Sequence, residues 1–156
     1  MKITFIQTGG TIDKDYKATK KNHGYNFEIS EPAVKVILDK IKPRFNFEIF
    51  TATKKDSFDL TDVDRLKIYQ KCKNIKNDKI IITHGTDTFV KTAKVLNQIK
   101  NKVIILTGAM KPEKFQNSDA MFNVGTAIGA IKFLPNGIYI SMNGTVNKWN
   151  EYNRSN

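Results

Sequence analysis

The sequence predicts an α/β protein of the flavodoxin-like, doubly wound kind, with a mainly parallel five-stranded sheet and helices on both faces. Three observations predict it. Four short apolar runs (Ile3–Ile6, Lys79–Thr83, Lys102–Thr107 and Gly137–Met142) have the make-up of strands buried on both faces. Helical patterns lie between them, and such alternation calls for parallel strands joined by crossover helices. The chain has 156 residues, 40% hydrophobic and 26% charged, the proportions of one ordinary globular domain.

Taken in order, Ile3–Ile6 is the first strand. Ser30 can cap a helix running to about Ile41, with Pro32 in its first turn and Pro43 just beyond its end. Phe45–Thr51 alternates apolar and polar residues and reads as an edge strand. Thr61 with Asp64 resembles a capping box for a helix over Val63–Ile75. After the Lys79–Thr83 strand, a helix is expected from about Thr88 to Ile99. After Lys102–Thr107, another is expected from about Ser118 to Leu134, ended by Pro135-Asn136-Gly137. With this spacing the strand order should be 2-1-3-4-5. Residues 14–25 are polar and basic and read as a mobile loop or irregular hairpin, while residues 144–156 read as a polar tail. The expected organisation is therefore a single domain over residues 1–156.

Composition excludes several classes. No apolar stretch approaches the ~18 residues of a membrane span, so no membrane partner is expected. Gln7-Thr8-Gly9 interrupts the first apolar run too early for a signal peptide. The single cysteine, Cys72, allows no internal disulfide, which suits a reducing, cytoplasmic setting. The net charge of +11 comes from 23 lysines and 3 arginines, against 15 acidic residues. Apart from Lys14, Lys17, Lys20 and Lys21, the lysines are scattered. Nucleic-acid recognition favours arginine, and 15 asparagines beside the lysines and isoleucines fit an AT-rich codon bias. No nucleic-acid partner is expected.

In an open sheet of this order, ligands bind at the carboxyl ends of the strands where the order reverses, between the first and third strands. The segments leaving those strands are Thr8-Gly9-Gly10-Thr11-Ile12 and Thr83-His84-Gly85-Thr86-Asp87-Thr88. Both join glycine, which lets backbone approach a ligand, to threonine hydroxyls. The second opens into a helix, whose free N–H groups favour a carboxylate. Thr107-Gly108-Ala109-Met110-Lys111-Pro112 reaches the same edge. Singly, each stretch also suits an ordinary turn or helix cap, and Asp56-Ser57-Phe58-Asp59 also suits an ordinary loop. Their convergence on one edge is the stronger signal.

These residues resemble the bacterial-type L-asparaginase and glutaminase-asparaginase family. Thr8–Ile12 and His84–Thr88 are similar to its two signature motifs. Gly108–Pro112 followed by Ser118-Asp119 and Phe122-Asn123 resembles a third segment, and Asp56–Asp59 lies where the family has its serine-containing substrate loop. The resemblance implies that Thr11 is the nucleophile, activated by Tyr16 or alternatively Tyr25, and that Thr86 is the second catalytic threonine. It implies that Asp87 holds the substrate α-ammonium and Ser57 the α-carboxylate, with Gly10, Asp56, Phe58, Gly85 and Ala109 lining the pocket. The implied substrate is L-asparagine, with L-glutamine as alternative. No cofactor and no metal are implied, and the expected assembly is a homodimer or a dimer of dimers.

Amide hydrolysis needs a nucleophile, a proton relay and oxyanion donors, which these residue types can supply. A triad-like alternative makes His84 the base for Thr86, whereas the resemblance leaves His84 to hold its loop. Three departures stand out. Family members usually carry a second, smaller domain. They also carry a lysine partner for the second threonine, but counting from Asn123 lands on Leu134, and Lys132, two positions away, falls on nearly the opposite side of a helix, so that relay is expected to be missing or rebuilt. Phe58 follows Ser57 where a polar residue is usual. Competing readings are a catalytically weak or inactive amino-acid sensor of the same family, a flavin carrier and a basic nucleic-acid binder.

Overall fold

The computed structural model describes residues 1–16 and 27–154. In chain order the elements are β1 (Lys2–Gly9), β2 (Lys14–Tyr16), β3 (Phe27–Ile29), α1 (Ala33–Ile41), β4 (Asn46–Lys55), α2 (Asp62–Asn74), β5 (Lys79–Thr83), α3 (Phe89–Leu96), β6 (Val103–Thr107), α4 (Ala120–Ala130), β7 (Gly137–Met142) and β8 (Thr145–Lys148). Single 3-10 turns at Thr11–Asp13, Ser57–Asp59 and Thr86–Thr88 follow β1, β4 and β5.

The main sheet runs β4-β1-β5-β6-β7-β8. Its first five strands are parallel and realise the 2-1-3-4-5 order; β8 adds an antiparallel sixth strand. The sheet thus has six strands where five are predicted. The extra strand arises from Asn143 and Gly144, both at positive φ (51° and 81°), which close a two-residue hairpin between Met142 and Thr145. Part of the predicted polar tail is therefore β8. Residues 14–16 and 27–29 pair antiparallel as a separate ribbon, and residues 17–25 of the predicted loop lie outside the described residues.

The period of two along each strand sorts the core into two layers. Ile3, Phe5, Ile81, Ile105 and Tyr139 pack with Val34 and Ile37 of α1 and Val124 of α4. Ile6, Ile80, Ile82, Leu106 and Ile140 pack with Ile68 of α2 and Leu96 of α3. Helices on both faces explain why these strands read as unbroken apolar runs. Cys72 lies fully buried in the second layer, and burial pushes its thiol up to about 12, so it stays a neutral core residue.

Helix ends are set locally. Thr61 accepts from the Asp64 N–H while the Asp64 carboxylate accepts from the Thr61 N–H, completing the predicted capping box at Asp62. Lys55 lies 2.8 Å from the same carboxylate and, with those bonds, holds Asp64 below the usual carboxylate range. α1 starts one residue after Pro32, and Lys42 closes it in the left-handed conformation ahead of Pro43. α3 and α4 are shorter than predicted. The first is preceded by the Thr86–Thr88 turn, and the second begins at Ala120, whose N–H donates to the Ser118 hydroxyl. No helix of the described residues is long and apolar enough to cross a membrane.

Candidate functional site

The predicted site edge is where the loops of four strands meet. Gly10 follows β1 with φ of 84°, and a Cβ there would overlap the backbone of Gly85, just beyond β5. A Cβ on Gly85 would in turn stand 2.6 Å from the Cβ of Ser57, just beyond β4. A Cβ on Gly108, just beyond β6, would overlap the carbonyl of His84 and reach within 3.4 Å of the Thr86 methyl. Glycine is required at Gly10 and Gly108 because backbone meets backbone there, and at Gly85 because the Ser57 side chain leaves no room for a Cβ. Thr11 and Thr86, both half-buried, each lie one residue past the Gly10–Gly85 contact.

Ser57 and Asp87 join on the same side. The fully buried Ser57 donates its hydroxyl to Asp87 Oδ2 at 3.1 Å, and its N–H donates to the Asp56 carboxylate at 3.1 Å. Thr88 ties the two loops from beneath, donating its hydroxyl to the Ser57 carbonyl at 3.0 Å. Asp56 itself pairs with Lys14 of β2. Phe58 is 76% exposed and points its ring to solvent. Ala109 is buried, and its loop is pinned by Asp119, which accepts from the Met110 and Lys111 N–H groups, and by Asn123, which donates to the Gly108 carbonyl.

His84 is wholly buried. One ring nitrogen lies 2.7 Å from the Gly85 carbonyl and the other 2.7 Å from the Thr92 hydroxyl, and burial lowers its pKa to about 4. A neutral imidazole with both nitrogens engaged holds the Gly85–Thr86 turn. It has no nitrogen left for Thr86, which disfavours the triad-like alternative.

Two groups with no clear sequence signal sit beside these residues. Asp13 ends the turn that carries Thr11 and is almost fully buried. It accepts from the Ala33 N–H at 2.8 Å and from the Thr83 hydroxyl at 3.5 Å, and burial raises its pKa to about 7. Arg154 places a guanidinium nitrogen 2.5 Å from Asp87 Oδ1. It is the cation that pairs with Asp87 among the described residues. Lys132, two positions from the Leu134 that the count reaches, lines a hollow with Met1, Arg44 and Lys79 at the amino ends of the strands. The gap-free count fails for the same reason. Leu134 lies between α4 and β7, at the sheet edge opposite the carboxyl ends that carry Thr86.

Tyr16, at the end of β2, is half exposed. Its ring meets Phe27 edge-on at 4.5 Å and stacks on Phe115 at 6.0 Å, while Lys114 pairs with Asp15 at 2.8 Å. The ribbon is thereby docked on the loop between β6 and α4. Tyr25 lies outside the described residues. The site edge opens into two hollows. One, of about 390 Å³, is bordered by Lys14, Lys54, Lys55 and Asp56; the other, of about 150 Å³, by Thr86, Asp87, Tyr152 and Arg154. Among the described residues, no three His, Cys, Asp or Glu side chains converge to hold a metal ion.

Comparison with known proteins identifies the family and the fold. Residues 2–156 match the family model for the asparaginase N-terminal domain. L-asparaginase 2 of Escherichia coli is 30% identical over 154 residues, covering 92% of this chain and 43% of its own length. A glutamyl-tRNA(Gln) amidotransferase subunit of Methanococcus vannielii is 30% identical over 152 residues, covering 92% of this chain and 34% of its own length. The thermostable L-asparaginase of Thermococcus kodakarensis superposes with a TM-score of 0.82 at 27% identity, over 96% of this chain and 46% of that one. The chain thus spans less than half the length of these relatives. The matched model covers all but the first residue, and the chain belongs to the asparaginase family through its N-terminal α/β domain.

Proposed function

We propose that the protein is an amidohydrolase that converts L-asparagine to L-aspartate and ammonia, with L-glutamine as the alternative substrate. The observation that carries this reading is the backbone contact of Gly10 with Gly85, which sets the Thr11 and Thr86 turns side by side against the Ser57–Asp87 pair. In this reading Thr11 attacks the side-chain amide carbon and hands its proton to a relay through Tyr16 or Tyr25. Thr86 completes the hydroxyl pair. N–H groups near Gly85 and Ala109 receive the oxyanion, and Asp87 faces the α-ammonium. The C–N bond breaks, ammonia leaves with the returned proton, and water hydrolyses the threonine ester to release aspartate. The reaction needs no metal or cofactor. A symmetric homo-oligomer in the cytoplasm is the setting proposed with it.

A second reading has a specific observation behind it. Relatives named as amidotransferase subunits are as similar to this chain as the L-asparaginases are. In that reading the site releases ammonia for a partner protein. The sensor reading is also retained, because Asp87 is already occupied by Arg154. The experiment is an ammonia-release assay with L-asparagine and L-glutamine beside a Thr11→Ala variant. Release from the wild type that is lost in Thr11→Ala supports the amidohydrolase. Amino-acid binding without release supports the sensor.

A further inference from the structure

A hollow of about 420 Å³ opens at the amino ends of the strands, lined by Met1, Arg44, Phe45, Lys79 and Lys132. Separate segments deliver these side chains. Met1 precedes β1, Arg44 and Phe45 precede β4, Lys79 opens β5, and Lys132 lies between α4 and β7. The Asn46 N–H donates to the Met1 carbonyl at 3.3 Å, which holds the first two segments together.

Three cations share this opening, and no carboxylate lines it among the described residues. Lys79 has a partner in Asp78, but at 3.7 Å and with 61% of the Asp78 side chain in solvent. An exposed pair of this kind neutralises little. The side chains of Arg44 and Lys132 have no ion pair or hydrogen bond among the described residues. The other two arginines are engaged: Arg65 donates to the Leu60 carbonyl at 2.7 Å, and Arg154 pairs with Asp87. A single surface lysine serves solubility. Three like charges gathered from three segments repel one another, and an anion placed between them relieves that repulsion.

Phe45 supplies the apolar part. It packs against the first core layer, and Phe47 meets its ring edge-on at 6.4 Å, so the ring is fixed in place. Phe45 is half-buried, which leaves part of the ring to the hollow. A fixed aromatic surface beside a cluster of cations suits a planar base joined to a phosphate. The arginine fork can take two phosphate oxygens, and the lysines add point charges.

We propose that this hollow is a second ligand site that binds a mononucleotide, its phosphate between Arg44, Lys79 and Lys132 and its base against Phe45. The site lies at the end of the sheet opposite Thr11 and Thr86 and does not depend on the amidohydrolase reading.

Calorimetry on the full chain with adenosine monophosphate, inorganic phosphate and adenosine tests the site. The nucleotide should bind about tenfold or more tightly than either part, and about 0.5 M NaCl should weaken it by a similar factor. Arg44→Gln should weaken the nucleotide about tenfold, the factor expected of one charge-assisted contact, and Lys132→Gln severalfold. Lys91→Gln makes the same change of charge on α3, outside the hollow, and should leave binding unaltered. Phe45→Leu should weaken the nucleotide about tenfold and leave inorganic phosphate unaltered. Arg44 and Lys132 are exposed, so their variants keep the fold and decide alone should Phe45→Leu not fold. Undetectable nucleotide binding, or the same loss in Lys91→Gln as in Arg44→Gln, overturns the site. Inorganic phosphate bound as tightly as the nucleotide, with Phe45→Leu without effect, overturns the mononucleotide as its ligand. A single-stranded RNA whose affinity grows with its length, beside a mononucleotide that does not bind, overturns the hollow in favour of an extended nucleic-acid surface.

Discussion

Ser57 and Asp87, thirty residues apart in sequence, are joined by a 3.1 Å hydrogen bond at the carboxyl edge of the sheet. The bond links the loop after β4 to the turn after β5, so each residue orients the other. Asp87→Asn keeps the shape but removes the charge that faces Arg154 and the proposed ammonium site. KM for asparagine should rise about tenfold or more, the cost of one charge-assisted contact, with little change in thermal stability. Steady-state kinetics check this, and an unchanged KM removes Asp87 from substrate binding.

The Gly10–Gly85 contact makes a steric prediction. Gly10→Ala adds a Cβ at φ of 84° and overlaps the Gly85 backbone, so the turn carrying Thr11 must shift. The variant should lose about 1–3 kcal/mol of stability and most of its activity. Gly125→Ala and Gly129→Ala in α4 are the matched controls, because a Cβ there meets nothing within 4 Å. They should gain up to about 1 kcal/mol from helix propensity. Urea unfolding of the three variants measures both signs. Equal effects at Gly10 and Gly125 would remove the steric argument.

Much of this is legible in the sequence, for physical reasons that differ by element. Buried strands announce themselves because a sheet covered on both faces needs unbroken apolar runs, as at Ile80–Ile82. The glycine–threonine loops stand out because backbone contact requires glycine. The strand β8 escapes the sequence reading although Asn143-Gly144 is a strong hairpin signal, because the polar residues after it read as a tail. Asp13 and Arg154 escape it for another reason. Asp13 is defined by bonds to Ala33 and Thr83, and Arg154 by a partner 67 positions away. No local periodicity encodes such contacts. The ring of Tyr16 likewise rests on Phe115, a neighbour that only the assembled fold supplies.

Asp13 and His84 should give stability opposite pH dependences. The Asp13 carboxyl rises from 3.8 to about 7 on folding, so the folded state holds its proton more tightly. Its effect is to lower stability by about 4 kcal/mol as pH climbs from 4 to 7. The His84 imidazole falls from 6.5 to about 4, so the unfolded state binds the proton first. Its contribution is complete above pH 6.5, and about 3 kcal/mol is lost as pH drops towards 4. In the wild type the two slopes largely offset each other. Asp13→Asn should therefore lose stability on acidification from pH 7 to 4.5, and His84→Gln should gain it. Urea midpoints at the two pH values measure this, and the same slope in both variants would contradict the assignment.

Tyr16 gives the last test, because its ring and its hydroxyl have separable tasks. The ring packs against Phe27 and Phe115 and helps dock the β2–β3 ribbon onto the loop after β6. Tyr16→Phe preserves those contacts, so its unfolding midpoint should match the wild type. In the proposed mechanism the hydroxyl takes the Thr11 proton, and a positioned proton acceptor is worth about a hundredfold or more in rate. Tyr16→Phe should then lower kcat by that order with KM nearly unchanged. Tyr16→Ala should lower kcat and also weaken the ribbon, seen as faster proteolysis near residues 14–16. A Tyr16→Phe enzyme with full kcat, beside an impaired Tyr25→Phe enzyme, transfers the relay to Tyr25. Full activity in both would mean that Thr11 loses its proton to another group. Asp13, which ends the Thr11 turn and has a pKa of about 7, would then be the first to test.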